Sequence, residues 1–181
     1  MKKISSLPLV FVSVWLCFVA CRQLDAATAG VVICNGQRLP EETVLALERG
    51  YHVRVRPGVY WYDSMTGAWG FWGGPVAGVI MSGLNLGGPL AENASNGNTG
   101  IFINGRQLHQ RDVWVLRQIM IPLPGHYWMN AAGTFGAVGG PPIGNIYWLA
   151  AAASRRNGGG TYRRQGILST YDRTGVAVFG Y

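Results

Sequence analysis

Val32-Ile33-Cys34-Asn35-Gly36 returns later in the chain as Ile101-Phe102-Ile103-Asn104-Gly105, and the residues after each copy match too. Leu39, Val44 and Leu47 correspond to Leu108, Val113 and Leu116. Pro57-Gly58-Val59-Tyr60-Trp61 corresponds to Pro124-Gly125-His126-Tyr127-Trp128, and Asp63 stands opposite Asn130. Gly67, Gly70, Gly73-Gly74-Pro75 and Gly78 correspond to Gly133, Gly136, Gly139-Gly140-Pro141 and Gly144. Segment 32–78 is therefore read as one unit and 101–144 as its copy, since self-similarity in preserved order is the mark of a repeated supersecondary unit.

Each unit reads coarsely in the same way. An apolar run ends at Asn-Gly, a tight-turn signal. A short helix comes next: Pro40 suits its first position, Glu41 and Glu42 its first turn, and Gly50 its end. His52-Val53-Arg54-Val55-Arg56 alternates as a strand does. Tyr60-Trp61-Tyr62 and Ala68-Trp69-Gly70-Phe71-Trp72 form a hairpin across Asp63–Gly67, with a glycine placed for positive φ. The second copy has the same hairpin with a loop shorter by one residue. The predicted fold is mainly β with short helices (α+β). Two tandem homologous units, 30–90 and 91–149, form one pseudo-twofold body, because a unit of about 60 residues has only a modest core. Gly83 to Gly100, rich in Gly, Asn and Ser, reads as the linker.

The ends differ in character. Met1-Lys2-Lys3 followed by an apolar run from Leu7 to Ala20 is the pattern of a secretory signal peptide spanning 1–29. That run is shorter than the roughly 20 residues a membrane-spanning helix needs. Ala27-Thr28-Ala29 suits cleavage before Gly30. Phe18-Val19-Ala20-Cys21 offers a second reading, in which Cys21 is lipidated and tethers the protein to a membrane. The expected location is outside a bacterial-type cytoplasm: periplasmic, outer-membrane-associated or extracellular. Residues 150–181 read as a flexible basic tail carrying Arg155-Arg156 and Arg163-Arg164. Its end, Ile167 to Tyr181, reads as a hairpin turning at Asp172-Arg173-Thr174-Gly175, and the last strand, Val176 to Tyr181, could pair with a second copy.

Past residue 29 the chain has 12 Arg, no Lys and 7 acids, a surplus of five positive charges. Such a balance favours anionic partners. Export makes nucleic acid an unsuitable one and points to an acidic envelope polymer or anionic lipid head groups. Cys34 is the one cysteine beyond the leader, so no internal disulfide is available, and its apolar neighbours mark it as a buried small hydrophobe.

No constellation for catalysis is present. His52, His109 and His126 have no counterparts in the opposite unit and no metal-ligand spacing. No Gly-x-Ser-x-Gly elbow accompanies the serines. The Gly-Gly-Pro runs do not open a helix as a phosphate loop does. Neither a cofactor nor a metal is expected, and the chain is read as a non-enzyme; an enzyme using Cys34 or a histidine is the remote alternative.

The aromatic hairpins are the stronger lead. Tyr60, Trp61, Tyr62, Trp69 and Trp72 fall within thirteen residues, and Tyr127, Trp128 and Phe135 answer them. Tyr127-Trp128-Met129-Asn130-Ala131-Ala132-Gly133-Thr134-Phe135 resembles the hairpin of choline- and glucan-binding cell-wall repeats, Trp-Tyr-x-[Asn/Asp]-x-x-Gly-x-[Met/Trp]. Tyr60-Trp61-Tyr62-Asp63 to Gly67-Ala68-Trp69 is similar, with one inserted residue. The likeness covers about ten residues per unit and departs in period. It implies that the rings cradle a choline or a sugar. The expected function is a non-catalytic exported module that binds glycan or envelope polymer. Tyr60, Trp61, Trp69, Trp72, Tyr127 and Trp128 are its stacking residues, with Arg54 and Arg56 facing the acidic groups. The alternative is a structural or assembly protein that pairs through its C-terminal strand into a homo-oligomer.

Overall fold

The Asn-Gly pairs set the geometry at the start of each unit. Asn35 and Gly36 take φ of 47° and 77°, and Asn104 and Gly105 take 51° and 86°. Two consecutive positive φ values make the two-residue turn that suits the twist of paired strands. In the first unit this turn joins β1 (Val32–Cys34) to β2 (Gln37–Arg38). The computed structural model describes residues 30–156, which form two mixed five-stranded sheets and three short helices.

Helix α1 (Glu41–Tyr51) comes next. Pro40 occupies its N-cap and not its first turn; Glu41 and Glu42 lie at the positive end of the helix dipole and Arg49 at the negative end. The helix runs one residue past Gly50 and stops at His52, which takes a left-handed φ of 52°. The strand expected over 52–56 is absent. The Glu48 carboxylate accepts the Val55 N–H at 2.9 Å, so this amide is satisfied by a helix side chain and not by a strand neighbour. β3 (Gly58–Tyr62) then runs parallel to β1, with α1 as the crossover. β4 (Ala68–Phe71) returns antiparallel as the expected hairpin, and β5 (Gly78–Val79) completes the order β2-β1-β3-β4-β5.

The second unit repeats the plan. β6 (Ile101–Ile103), β7 (Arg106–Gln107), α2 (Gln110–Leu116), β8 (Gly125–Met129), β9 (Thr134–Ala137) and β10 (Pro142–Asn145) give the order β10-β9-β8-β6-β7. α3 (Ile146–Arg156) ends the described chain, with the Asn145 side chain accepting the N–H groups of Tyr147 and Trp148. Residues 150–156, read as the start of a flexible tail, are thus the later turns of a helix that buries Ala150 and Ala153. The expected leader 1–29 with Cys21, and the strand expected over 176–181, lie outside the described residues.

Each unit is closed by the same asparagine clamp. The Asn35 side chain accepts from Tyr62 N–H at 3.0 Å and donates to Tyr62 C=O at 2.8 Å. The Asn104 side chain does the same with Met129, at 2.9 Å each way. The remaining amide hydrogen differs. Asn35 gives it to the Gly88 carbonyl at 3.1 Å, and Asn104 gives it across the unit boundary to Asp63 Oδ2 at 2.7 Å.

The units are joined by buried polar contacts. Arg106 is buried, pairs with Asp112 at 3.3 Å, donates to Ser95 Oγ and lies over the Trp61 ring at 4.0 Å from its centroid. Burial lowers the pKa of its guanidinium, and the Asp112 carboxylate opposes that shift. Asp112 also accepts the Val76 N–H of the first unit at 3.0 Å. The stretch expected to be a simple linker is irregular but packed, with Leu86, Ala94 and Ser95 buried.

Candidate functional site

Strand alternation sorts the hairpin rings into two faces. Residues paired directly across strands share a face, and Tyr60 pairs with Phe71, Tyr62 with Trp69, and Trp61 with Gly70. Tyr60, Tyr62, Trp69 and Phe71 therefore lie on one side, towards α1. The Tyr60 and Phe71 ring centroids are 4.9 Å apart, and Tyr60 and Trp69 are 6.0 Å apart. Trp61 points to the other side, where it meets Arg106.

The α1 side is not filled. Helix α1 contributes no buried residue, and Leu45 on it is 44% exposed. Val44 and Leu47 only partly cover the core formed by Val32, Cys34, Leu39, Tyr60, Tyr62 and Leu86. Between helix and sheet lies a cleft of about 370 Å³, lined mainly by apolar atoms. That size falls at the small end of ordinary ligand pockets. Leu47, Val55, Tyr60, Trp69, Phe71 and Ile80 wall it, Cys34 lies among them, and Arg54 and Arg56 reach it from exposed positions.

The tyrosine hydroxyls of the cleft are engaged by the backbone. The Tyr60 hydroxyl donates to the Arg56 carbonyl at 2.7 Å. The Tyr62 hydroxyl donates to the Met81 carbonyl at 2.6 Å and accepts from Leu84 N–H at 3.2 Å. Burial raises the pKa of both phenols, with the Arg56 charge opposing the rise at Tyr60. Burial likewise pushes the Cys34 thiol up to about 11, so it stays protonated and weakly nucleophilic at neutral pH.

The residues singled out in the sequence separate accordingly. Tyr60, Trp61, Trp69, Arg54 and Arg56 all border the cleft, Trp61 with its ring turned to the other side of the sheet. Trp61 is completely buried: one side of its indole lies against Gly70 and Arg106 lies over the ring, so it has no face for a sugar. Its ring is a joint between units, which corrects its place among the stacking residues. Trp128 is built alike, with its indole N–H on the Gly140 carbonyl at 3.3 Å where Trp61 uses Gly74 at 3.2 Å. Tyr127 and Trp128 are half-buried in the second unit and lie away from the cleft, as does Trp72, which is 42% exposed beyond the end of β4. Phe71, Leu47 and Ile80 were missed. Phe71 could have been found as the cross-strand partner of Tyr60.

The histidines take structural positions. His52 ends α1, His109 caps α2 by accepting the Arg111 N–H at 3.1 Å, and His126 stacks on Phe102 at 4.2 Å. Among the described residues no group of three His, Cys, Asp or Glu side chains could hold a metal ion, and no helix is long and apolar enough to cross a membrane.

Comparison with known proteins gives a partial likeness. The chain is 37% identical over 111 residues to extra-large guanine nucleotide-binding protein 1 of Arabidopsis thaliana, covering 59% of this chain and 12% of that protein. It is 32% identical over 122 residues to extra-large guanine nucleotide-binding protein 2 of the same plant, covering 65% of this chain and 14% of that protein. The chain thus spans about an eighth of the length of the curated relatives it matches. No protein-family model matches the chain, and no solved structure does.

Proposed function

We propose that this chain is a non-catalytic binding module made of two copies of one duplicated unit, and that its ligand enters the cleft between α1 and the first sheet. The observation that carries the reading is the cleft itself: an unfilled apolar space in the middle of the first unit's core. Natural interiors are packed to the density of organic crystals, so a space of this size is not ordinary packing. Among the described residues, the engaged phenols, the protonated Cys34 and the structural histidines leave no nucleophile paired with a base, which supports binding over catalysis. The likeness to guanine nucleotide-binding proteins is not extended to nucleotide binding. The only lysines of the chain are Lys2 and Lys3, so neither unit holds a lysine that could serve a phosphate loop.

The test is saturation binding of a neutral, environment-sensitive fluorophore to the intact chain. One-to-one binding, lost in Leu47→Trp with the circular dichroism of the parent, supports the cleft. Absence of saturable binding by any apolar probe overturns it.

A second reading keeps the glycan or envelope polymer as ligand. It is favoured by Phe71 and Trp72, which are 50% and 42% exposed at the hairpin end. Exposed rings are the surfaces on which sugars stack. Retention on purified cell wall that disappears in Phe71→Ala and Trp72→Ala, with no binding of the apolar probe, would establish it. Export, and the membrane tether through Cys21, belong to this same proposal, and mass spectrometry of the mature N-terminus decides between them.

A further inference from the structure

We infer that the ligand class of the cleft is a single-chain anionic amphiphile, with its hydrocarbon chain in the cavity and its carboxylate or phosphate head between Arg54 and Arg56. This rests on the reading that the cleft is the binding site, and three observations narrow the chemistry.

The first is the lining. Leu47, Val55, Trp69, Phe71 and Ile80 offer carbon, the Tyr60 and Tyr62 hydroxyls are spent on backbone carbonyls, and the Tyr51 hydroxyl accepts the Met81 N–H. A sugar entering here would lose water from many hydroxyls and meet few polar partners on this wall, and an unpaired buried hydroxyl is unfavourable. A hydrocarbon chain loses nothing comparable and gains burial.

The second is the rim. Arg54 and Arg56 are exposed and line the mouth, and among the described residues neither forms an ion pair. A pair of arginines beside an apolar pocket suits a head group with two or three anionic oxygens, which arginine binds through its fork of donors. The Arg56 carbonyl, held by the Tyr60 hydroxyl at 2.7 Å, ties this segment to the cleft wall.

The third is the contrast with the other unit. Counting back from the shared Pro-Gly, Arg54 and Arg56 stand where the second unit has Ile121 and Leu123, which are 84% and 63% exposed. The same fold forms with apolar residues there. The two charges are therefore not required by the backbone, and they mark the mouth of one cleft.

The experiment uses the intact chain and dodecanoate kept below its micellar concentration. Titration calorimetry, with the fluorescence of Trp69 as a second readout, is compared with dodecyl glucoside, dodecyltrimethylammonium and vesicles of phosphatidylglycerol. The expected result is one-to-one binding of dodecanoate, with the Arg54→Gln, Arg56→Gln double variant weaker by about tenfold or more. These positions are exposed, so the variant retains the fold. Equal binding of dodecyl glucoside overturns the head-group assignment and leaves the cleft standing. Binding to anionic vesicles without binding of monomeric dodecanoate overturns chain insertion and makes the arginines a membrane-surface patch. Failure of every amphiphile, neutral ones included, overturns the cleft reading itself.

Discussion

The guanidinium of Arg106, a residue of the second unit, lies over the ring of Trp61, a residue of the first, at 4.0 Å from the ring centroid. Both side chains are removed from water, and Asp112 balances the charge. Removing one member of a buried pair leaves the other charge uncompensated, typically at about 3–5 kcal/mol. Arg106→Met is expected to lower stability by roughly that amount in urea unfolding. Combining it with Asp112→Leu should recover part of the loss, because no lone carboxylate then remains. Full additivity of the two losses would show that the two side chains are not coupled.

Two glycines make room for the two indoles. A Cβ at Gly70 would fall 2.7 Å from the Trp61 ring and 2.3 Å from the Pro75 carbonyl oxygen. At Gly136 the corresponding distances are 2.9 Å to Trp128 and 2.4 Å to the Pro141 carbonyl. Backbone cannot yield as a side chain tip does, so Gly70→Ala and Gly136→Ala should each cost at least about 1–3 kcal/mol. Thermal melts of both variants check this. A neutral effect at either site would mean the indole and its strand shift together.

The asparagine clamps should differ in reach. Asn35→Ala and Asn104→Ala each leave backbone groups of the central strand without their side-chain partner, a loss of about 1–3 kcal/mol. Only Asn104 also bonds Asp63 of the other unit, at 2.7 Å. Asn104→Ala is therefore expected to raise amide exchange in the Asp63–Gly67 loop, and Asn35→Ala to leave that loop unchanged.

The Cys34 thiol gives a pH signature. Its pKa is about 11 in the folded chain against an ordinary value of 9.0. The folded state holds the proton more tightly, so this stabilisation is complete below pH 9 and is lost as pH rises through about 11. The raised phenols of Tyr60 and Tyr62 act in the same direction above their ordinary value of 10.0. Unfolding free energies of the parent should fall as pH rises from 9.0 towards about 11. The fall should be smaller in Cys34→Ala, which isolates the thiol from the phenols.

Much of this architecture was legible because it depends on local chemistry. Asn-Gly specifies the first turn of each unit, and Tyr-Trp followed by spaced glycines specifies the hairpin and the plate on which each indole rests. The His52–Arg56 segment was misread because its alternation of Val and Arg is what a strand also shows. Here the period reports something else: Val55 packs against the core and the arginines on either side of it are exposed. Trp61 was misread for a different reason. Whether a ring is a binding surface or a joint depends on what covers it, and its cover, Arg106, lies 45 residues away in another unit. The cleft itself is a shortage of side-chain volume between α1 and the sheet, and no single residue encodes it.

Because helix α1 buries none of its residues, its backbone hydrogen bonds are shielded by little more than the half-covered Val44 and Leu47. Native proteins open first where few apolar contacts restrain the backbone. Amides of residues 44–51 should exchange with deuterium through small fluctuations, well before those of β3, whose Trp61 is sealed on both sides. A bound chain that bridges helix and sheet would slow that exchange selectively, giving the helix the stiffness that its own packing does not supply.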